Sequence, residues 1–176
     1  MNPEKERWVL MVVLSIIWGS SFILIKKSLD HFNPYEVGAL RVLIAGILLL
    51  PIAISNRKKF PKQHLKWLIL AAITGNFIPM FLFPIAETEI SSSIAGIINS
   101  MMPIFVIIVG SLLWKFSTSK RQLIGVAISF SGACILALSD GDGGELKLIP
   151  VILLLVATLC YAISTTTVKS KLHDIP

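Results

Sequence analysis

Charge is scarce in this sequence, and long stretches have none. Acidic and basic residues make up 15% of 176 residues against 55% hydrophobic, and the mean hydropathy is +0.81. One aqueous core cannot hide that much apolar surface, so a bilayer is the expected solvent. Cysteine and histidine are also few. Cys134 and Cys160 fall inside apolar runs, while His31, His64 and His173 fall between or after them. That separation leaves no metal-ligand cluster to assemble, and buried cysteines act by default as small hydrophobes. No Asp or His interrupts an apolar run and no HExxH pattern occurs, so the chain is not expected to be an enzyme and no cofactor is implied.

Six apolar runs are present instead: Trp8 to Ile25, Val37 to Asn56, Trp67 to Ala86, Ile90 to Trp114, Gln122 to Ser139 and Leu148 to Val168. A span needs roughly 20 apolar residues to cross about 30 Å of hydrocarbon at about 1.5 Å per residue. Barrel strands alternate apolar and polar residues, whereas these runs are apolar on every side, which leaves helices. The expected fold is all-α: a polytopic membrane bundle of six transmembrane helices. The first run is no cleavable signal, because Lys26 and Lys27 follow it where small residues belong.

Basic residues alternate sides. Lys5, Arg7, Arg57, Lys58, Lys59, Lys62, Lys66, Lys115, Lys120, Arg121, Lys169 and Lys171 fall on one face of the membrane. Only Lys26, Lys27, Arg41 and Lys147 fall on or near the other, among most of the acidic residues. The positive-inside rule then places both ends in the cytoplasm of a multi-pass cell-membrane protein. The net charge of +6 follows from topology, and the cluster Arg57-Lys58-Lys59 is juxtamembrane rather than a nucleic-acid footprint. Trp8, Trp67 and Trp114 end their spans on the cytoplasmic side, as interfacial anchors do.

Polar residues inside hydrocarbon need partners, which makes them the first places to look for function. They gather at similar depths: Trp18 to Phe22 in span 1, Thr74-Gly75-Asn76 in span 3, and Asn99-Ser100 with Pro103 in span 4. Prolines 79, 84 and 103 remove amide donors and bend their helices toward a water-filled cavity. The alternative is packing, since Ser92, Gly96 and Ser100, like Gly125, Ser129 and Ala133, repeat every four residues. Asn76 and Asn99 fit packing less easily, because a carboxamide has four hydrogen-bonding positions to satisfy. Arg41 either snorkels to the interface or attracts an anionic substrate group. Trp18, Ser21, Arg41, Asn76, Asn99, Pro103 and Tyr161 are the candidate cavity residues.

A shift of 143 residues lays the end of span 1 on span 6, matching Trp18 with Tyr161, Ser21 with Ser164, Lys26 with Lys169 and Leu29 with Leu172. Span 6 thus looks like the first helix of a second five-helix unit, and an odd number of spans inverts that unit. Thr158, Ser164, Thr165, Thr166 and Thr167 give it a hydroxyl-rich face, much of which is expected to lack partners within this chain and to invite homo- or hetero-oligomerisation.

The segments WGSSF at 18–22 with Lys26, PYEVGALR at 34–41, SSSIAGIINSMMPIF at 91–105 and RQLIGVAISFSGACIL at 121–136 together resemble an EamA domain of the drug/metabolite transporter superfamily. The resemblance implies a ten-helix carrier of two inverted repeats that exports or exchanges small metabolites, amino acids or drugs through a central cavity. On that reading residues 1–139 form the first repeat, 140–147 an outside linker and 148–176 the first helix of a second repeat, so the chain is a fragment or truncated form. The family's glycine-glutamate pair closing helix 4 is Lys115-Phe116 here, so no acidic role transfers to that place. The implied partners are lipid, a small-molecule substrate and another membrane protein or copy. The alternative function is a non-transporting assembly subunit that pairs through small-residue faces.

Overall fold

Capping residues and prolines decide where the helices of this chain begin and break. The computed structural model describes residues 3–56, 62–139 and 147–173. Helix α1 (Pro3–Ser28) carries Glu4 and Glu6 in its first turn and Lys26 and Lys27 in its last, which complements the helix dipole. Asn33 then caps α2 (Pro34–Ser55): its side chain accepts from the Glu36 amide and Glu36 accepts from the Asn33 amide, both at 2.9 Å. A short 3₁₀ turn, Lys62–His64, leads into α3 (Leu65–Ala72), a π turn (Ile73–Phe77) and α4 (Ile78–Glu87). Pro79 withdraws the amide that Gly75 would need four residues on, and the chain answers with the wider turn.

The fourth expected span, 90–114, is two helices rather than one. α5 (Ser92–Asn99) and α6 (Met102–Trp114) part at Ser100 and Met101, because Pro103 offers no amide to the Asn99 carbonyl. At the far end Lys115 takes up the left-handed conformation at φ 54°, and the Phe116 amide closes back on the Gly110 carbonyl at 3.0 Å. A capping box of Ser119 and Gln122 starts α7 (Lys120–Ser139), and α8 (Leu148–Lys171) completes the bundle.

Five helical stretches among the described residues are long and apolar enough to cross a membrane: Glu4–Ser28, Pro34–Ser55, Lys62–Glu87, Ser92–Trp114 and Leu148–Lys171. The fifth expected span, Gln122 to Ser139, is the helix α7, which is not among those five. The chain is therefore an all-α, multi-pass membrane bundle. Of the expected linker 140–147 only Lys147 is described, bonded to Glu89 at 3.2 Å, and the cluster Arg57-Lys58-Lys59 also lies outside the described residues.

Helix α8 occupies the centre, packed against α3, the π turn, α4, α5 and α6, while α1, α2 and α7 lie around it with most of their apolar surface exposed. This overturns most of the expectation that the hydroxyl face of α8 lacks partners, though the buried Thr167 Oγ1 has none. Thr158, Thr166 and Thr167 are buried, Thr158 and Thr166 donate back to the Leu154 and Ala162 carbonyls, and Ser164 donates to the Ala71 carbonyl at 2.9 Å. Short side chains make this possible, since they let backbones approach and let hydroxyls satisfy themselves on the preceding turn. Gly75 shows how close the approach is: a Cβ there would stand 2.9 Å from that of Ser164. The apolar core lies toward the end of the bundle bearing the α1–α2 and α4–α5 hairpins, where Ile25, Val37, Phe83, Ala86, Ile90, Ala95, Ile98, Leu154 and Ala157 meet.

Candidate functional site

The two interrupted spans face each other at mid-height, and a cavity of about 360 Å³ opens between them. The π turn brings Gly75 and Asn76 to it, and the α5–α6 break brings Asn99 and Met102. α1 adds Trp18, Ser21, Phe22 and Ile25, α2 adds Arg41, α4 adds Met80 and Phe83, and α8 adds Tyr161, Ser164 and Thr165. Phe22, Phe83 and Tyr161 form an aromatic chain along one wall, with ring centroids 5.6 and 6.0 Å apart. Trp18, Asn76 and Thr165 are exposed and mark the open side.

Six of the seven residues singled out from sequence therefore share one cavity: Trp18, Ser21, Arg41, Asn76, Asn99 and Tyr161. Pro103 does not line it. Its ring is exposed at the start of α6, and it shapes the wall by ending α5. Arg41 turns into the cavity rather than out to the interface, half-buried, with Nη1 enclosed and without a hydrogen-bond partner. Asn99 Oδ1 is likewise buried and unpartnered. Ser92, read as a packing residue, joins three helices, since its hydroxyl meets the Phe22 carbonyl at 3.1 Å and Glu87 Oε2 at 3.2 Å.

One acidic residue escaped the sequence reading. Glu87 follows directly on an apolar run and so reads as the start of a linker, yet it is the last residue of α4 and fully buried. Its helical register with Phe83, four residues earlier, is the signal that would have placed it inside. Lys26 reaches over from α1 and donates to the backbone carbonyls of Glu87 and Ile90, tying α1 to the α4–α5 hairpin. At the opposite end of the bundle Trp67 and Trp114 meet edge to face at 5.7 Å, with Lys171 within 5.6 and 5.3 Å of their rings. Among the described residues no cluster of metal-ligating side chains occurs.

The sequence pattern of the EamA-like transporter family matches residues 7–138. The chain belongs to this family. It is 26% identical over 167 residues to an uncharacterized transporter of Archaeoglobus fulgidus, covering 95% of this chain and 59% of the relative. It is 30% identical over 158 residues to the uncharacterized inner membrane transporter YedA of Escherichia coli, covering 86% and 49%. A probable amino-acid metabolite efflux pump of Salmonella typhimurium is 23% identical over 173 residues, covering 98% and 56%. The EamA chain described here thus spans about half to three fifths of the length of these relatives. No solved structure matches it significantly.

Proposed function

We propose that this EamA chain forms part of a secondary carrier that exports small metabolites, amino acids or drugs by alternating access, as one five-helix unit plus the first helix of an inverted second. The observation that carries the reading is the cavity at mid-span, where a π turn and a helix break face each other. Interrupted helices at membrane depth persist where they line a cavity, and carriers use such places as binding sites. The name of the Salmonella relative supports export and amino acids among the cargo. Charge asymmetry supports cytoplasmic ends. The test is a cysteine at Asn99 in a chain whose Cys134 and Cys160 are serine. Labelling by a small polar thiol reagent is expected, and complete inertness would return Asn99 to helix packing and remove the cavity from the mechanism.

A second reading, a non-transporting subunit that pairs with another membrane protein, is favoured by the open faces of Gly125 and Gly132 on α7, where an added Cβ would meet nothing within 4 Å. Under it, cysteine 99 is inert while cysteines at position 125 crosslink.

A further inference from the structure

Three charged side chains meet where α1, α2 and α4 converge. Lys26 is committed to the carbonyls of Glu87 and Ile90, and Glu87, fully buried, accepts from Ser92 with one carboxylate oxygen. Arg41 is the third, and Glu87 acts electrostatically on both cations. Two cations and one carboxylate therefore lie at this junction, with neither cation within 4 Å of the carboxylate oxygens. Among the described residues no carboxylate lies within 4 Å of the Arg41 guanidinium, and its Nη1 is buried without a partner. The cavity lining contains this single cation and no acidic residue. A cation left uncompensated in a low-dielectric wall focuses its field on the adjoining space and favours an anion there. The guanidinium fork matches a carboxylate in particular. Around it Phe22, Ile25, Met80, Phe83 and Met102 supply apolar surface, and the unpartnered Asn99 carboxamide oxygen offers an acceptor.

We propose that the cavity takes small monoanions, carboxylates with an apolar body, whose charged group pairs with Arg41. This rests on the transport reading of the cavity. The rival on the same geometry is internal. Glu87 Oε1 is as unpartnered as Arg41 Nη1, and a change of rotamer that paired them would leave a cavity indifferent to charge.

The probes are a pair of methanethiosulfonates of similar size, one anionic (sulfonatoethyl) and one cationic (trimethylammonioethyl). They are reacted with a cysteine at Thr165, on the open side, in membranes bearing the 176-residue chain with Cys134 and Cys160 changed to serine. Relative to a free thiol, the anionic reagent is expected to gain about tenfold over the cationic one, the effect of one nearby unit charge in a poorly screened site. Arg41→Gln removes the preference and Arg41→Lys keeps most of it, which separates charge from misfolding, while Glu87→Gln raises it further. Phenylacetate slows the reaction and its uncharged amide does not.

A free-thiol ratio that ignores Arg41→Gln, or a preference that appears only in Glu87→Gln, overturns the proposal and leaves the transport reading standing. Equal slowing by phenylacetate and its amide, or none by either, overturns the carboxylate assignment. If neither reagent reacts, the cavity is closed to water and the transport reading falls with the proposal.

Discussion

Replacing Gly75 by alanine sets two physical effects of opposite sign against each other. The glycine has no positive φ, so backbone conformation does not require it. Helix propensity alone therefore predicts a gain of about 0.5–1 kcal/mol for alanine. The packing predicts a loss. A Cβ at position 75 would fall on the Ser164 hydroxyl and 2.9 Å from the Ser164 Cβ, both short, stiff parts of α8. Relieving that contact means moving α8 away from the π turn, at a cost of about 1–3 kcal/mol for overpacking. It also lengthens the bond from Ser164 to the Ala71 carbonyl, 2.9 Å in the native chain and worth about 0.6–1 kcal/mol in a membrane interior. The net expectation is a loss of about 1–3 kcal/mol, measured by SDS titration of the protein in mixed micelles. Ser164→Gly should cost about 1–2 kcal/mol alone, from the lost bond and the glycine in a helix, yet give back at least about 1 kcal/mol when combined with Gly75→Ala. A Gly75→Ala protein as stable as the native one, or strict additivity of the two changes, would refute the claim that this contact sets the seating of α8.

Lys115→Gly should stabilise the protein by about 1 kcal/mol in the same titration, because Lys115 holds φ 54°, where a Cβ is strained and glycine is not. In intact cells a cysteine at Thr88 should react with an impermeant thiol reagent while one at Ser117 should not, since the proposed orientation, from the charge asymmetry, has the α4–α5 hairpin outside and the α6–α7 connection inside. The reverse pattern would overturn the orientation.

The helices were legible because hydrocarbon imposes a length and an apolarity that any window of the sequence reveals. Their interruptions were legible only in part. Prolines 79 and 103 signalled bends, but whether a proline kinks a helix, widens it to a π turn or splits it depends on neighbours that a sequence does not place. Arg41 was ambiguous for the same reason, since its side chain is long enough for the interface or the cavity and only the packing of α2 on α4 decides. Glu87 was missed because the first charge after an apolar run ordinarily marks the membrane surface. Here Ser92 meets one carboxylate oxygen while Oε1 is buried without a partner, and Lys26 holds the backbone carbonyl of the same residue. The hydroxyls of α8 misled because counting them says nothing of the turns behind them, and most of those described find partners on the preceding turn of α8 or on Ala71.

The cavity is not built by the family-matched segment alone. Residues 7–138 carry the match, yet Tyr161, Ser164 and Thr165 line the same space from α8. The two residues that the 143-residue shift matches with Tyr161 and Ser164 are Trp18 and Ser21, and both line it from α1. Ile25, near the end of α1, shares the apolar core with Leu154 and Ala157, near the start of α8, so the two helices run antiparallel. Repeat-related residues on antiparallel helices that converge on one site are what a pseudo-two-fold axis in the membrane plane would produce. The matched lysines extend the pattern to the two ends of the bundle: Lys26 closes on the carbonyls at the end of α4, while Lys169, at the opposite end, lies 4.7 Å from the Phe116 ring just past the end of α6. On the inverted-repeat proposal these two contacts are counterparts at opposite ends of the bundle.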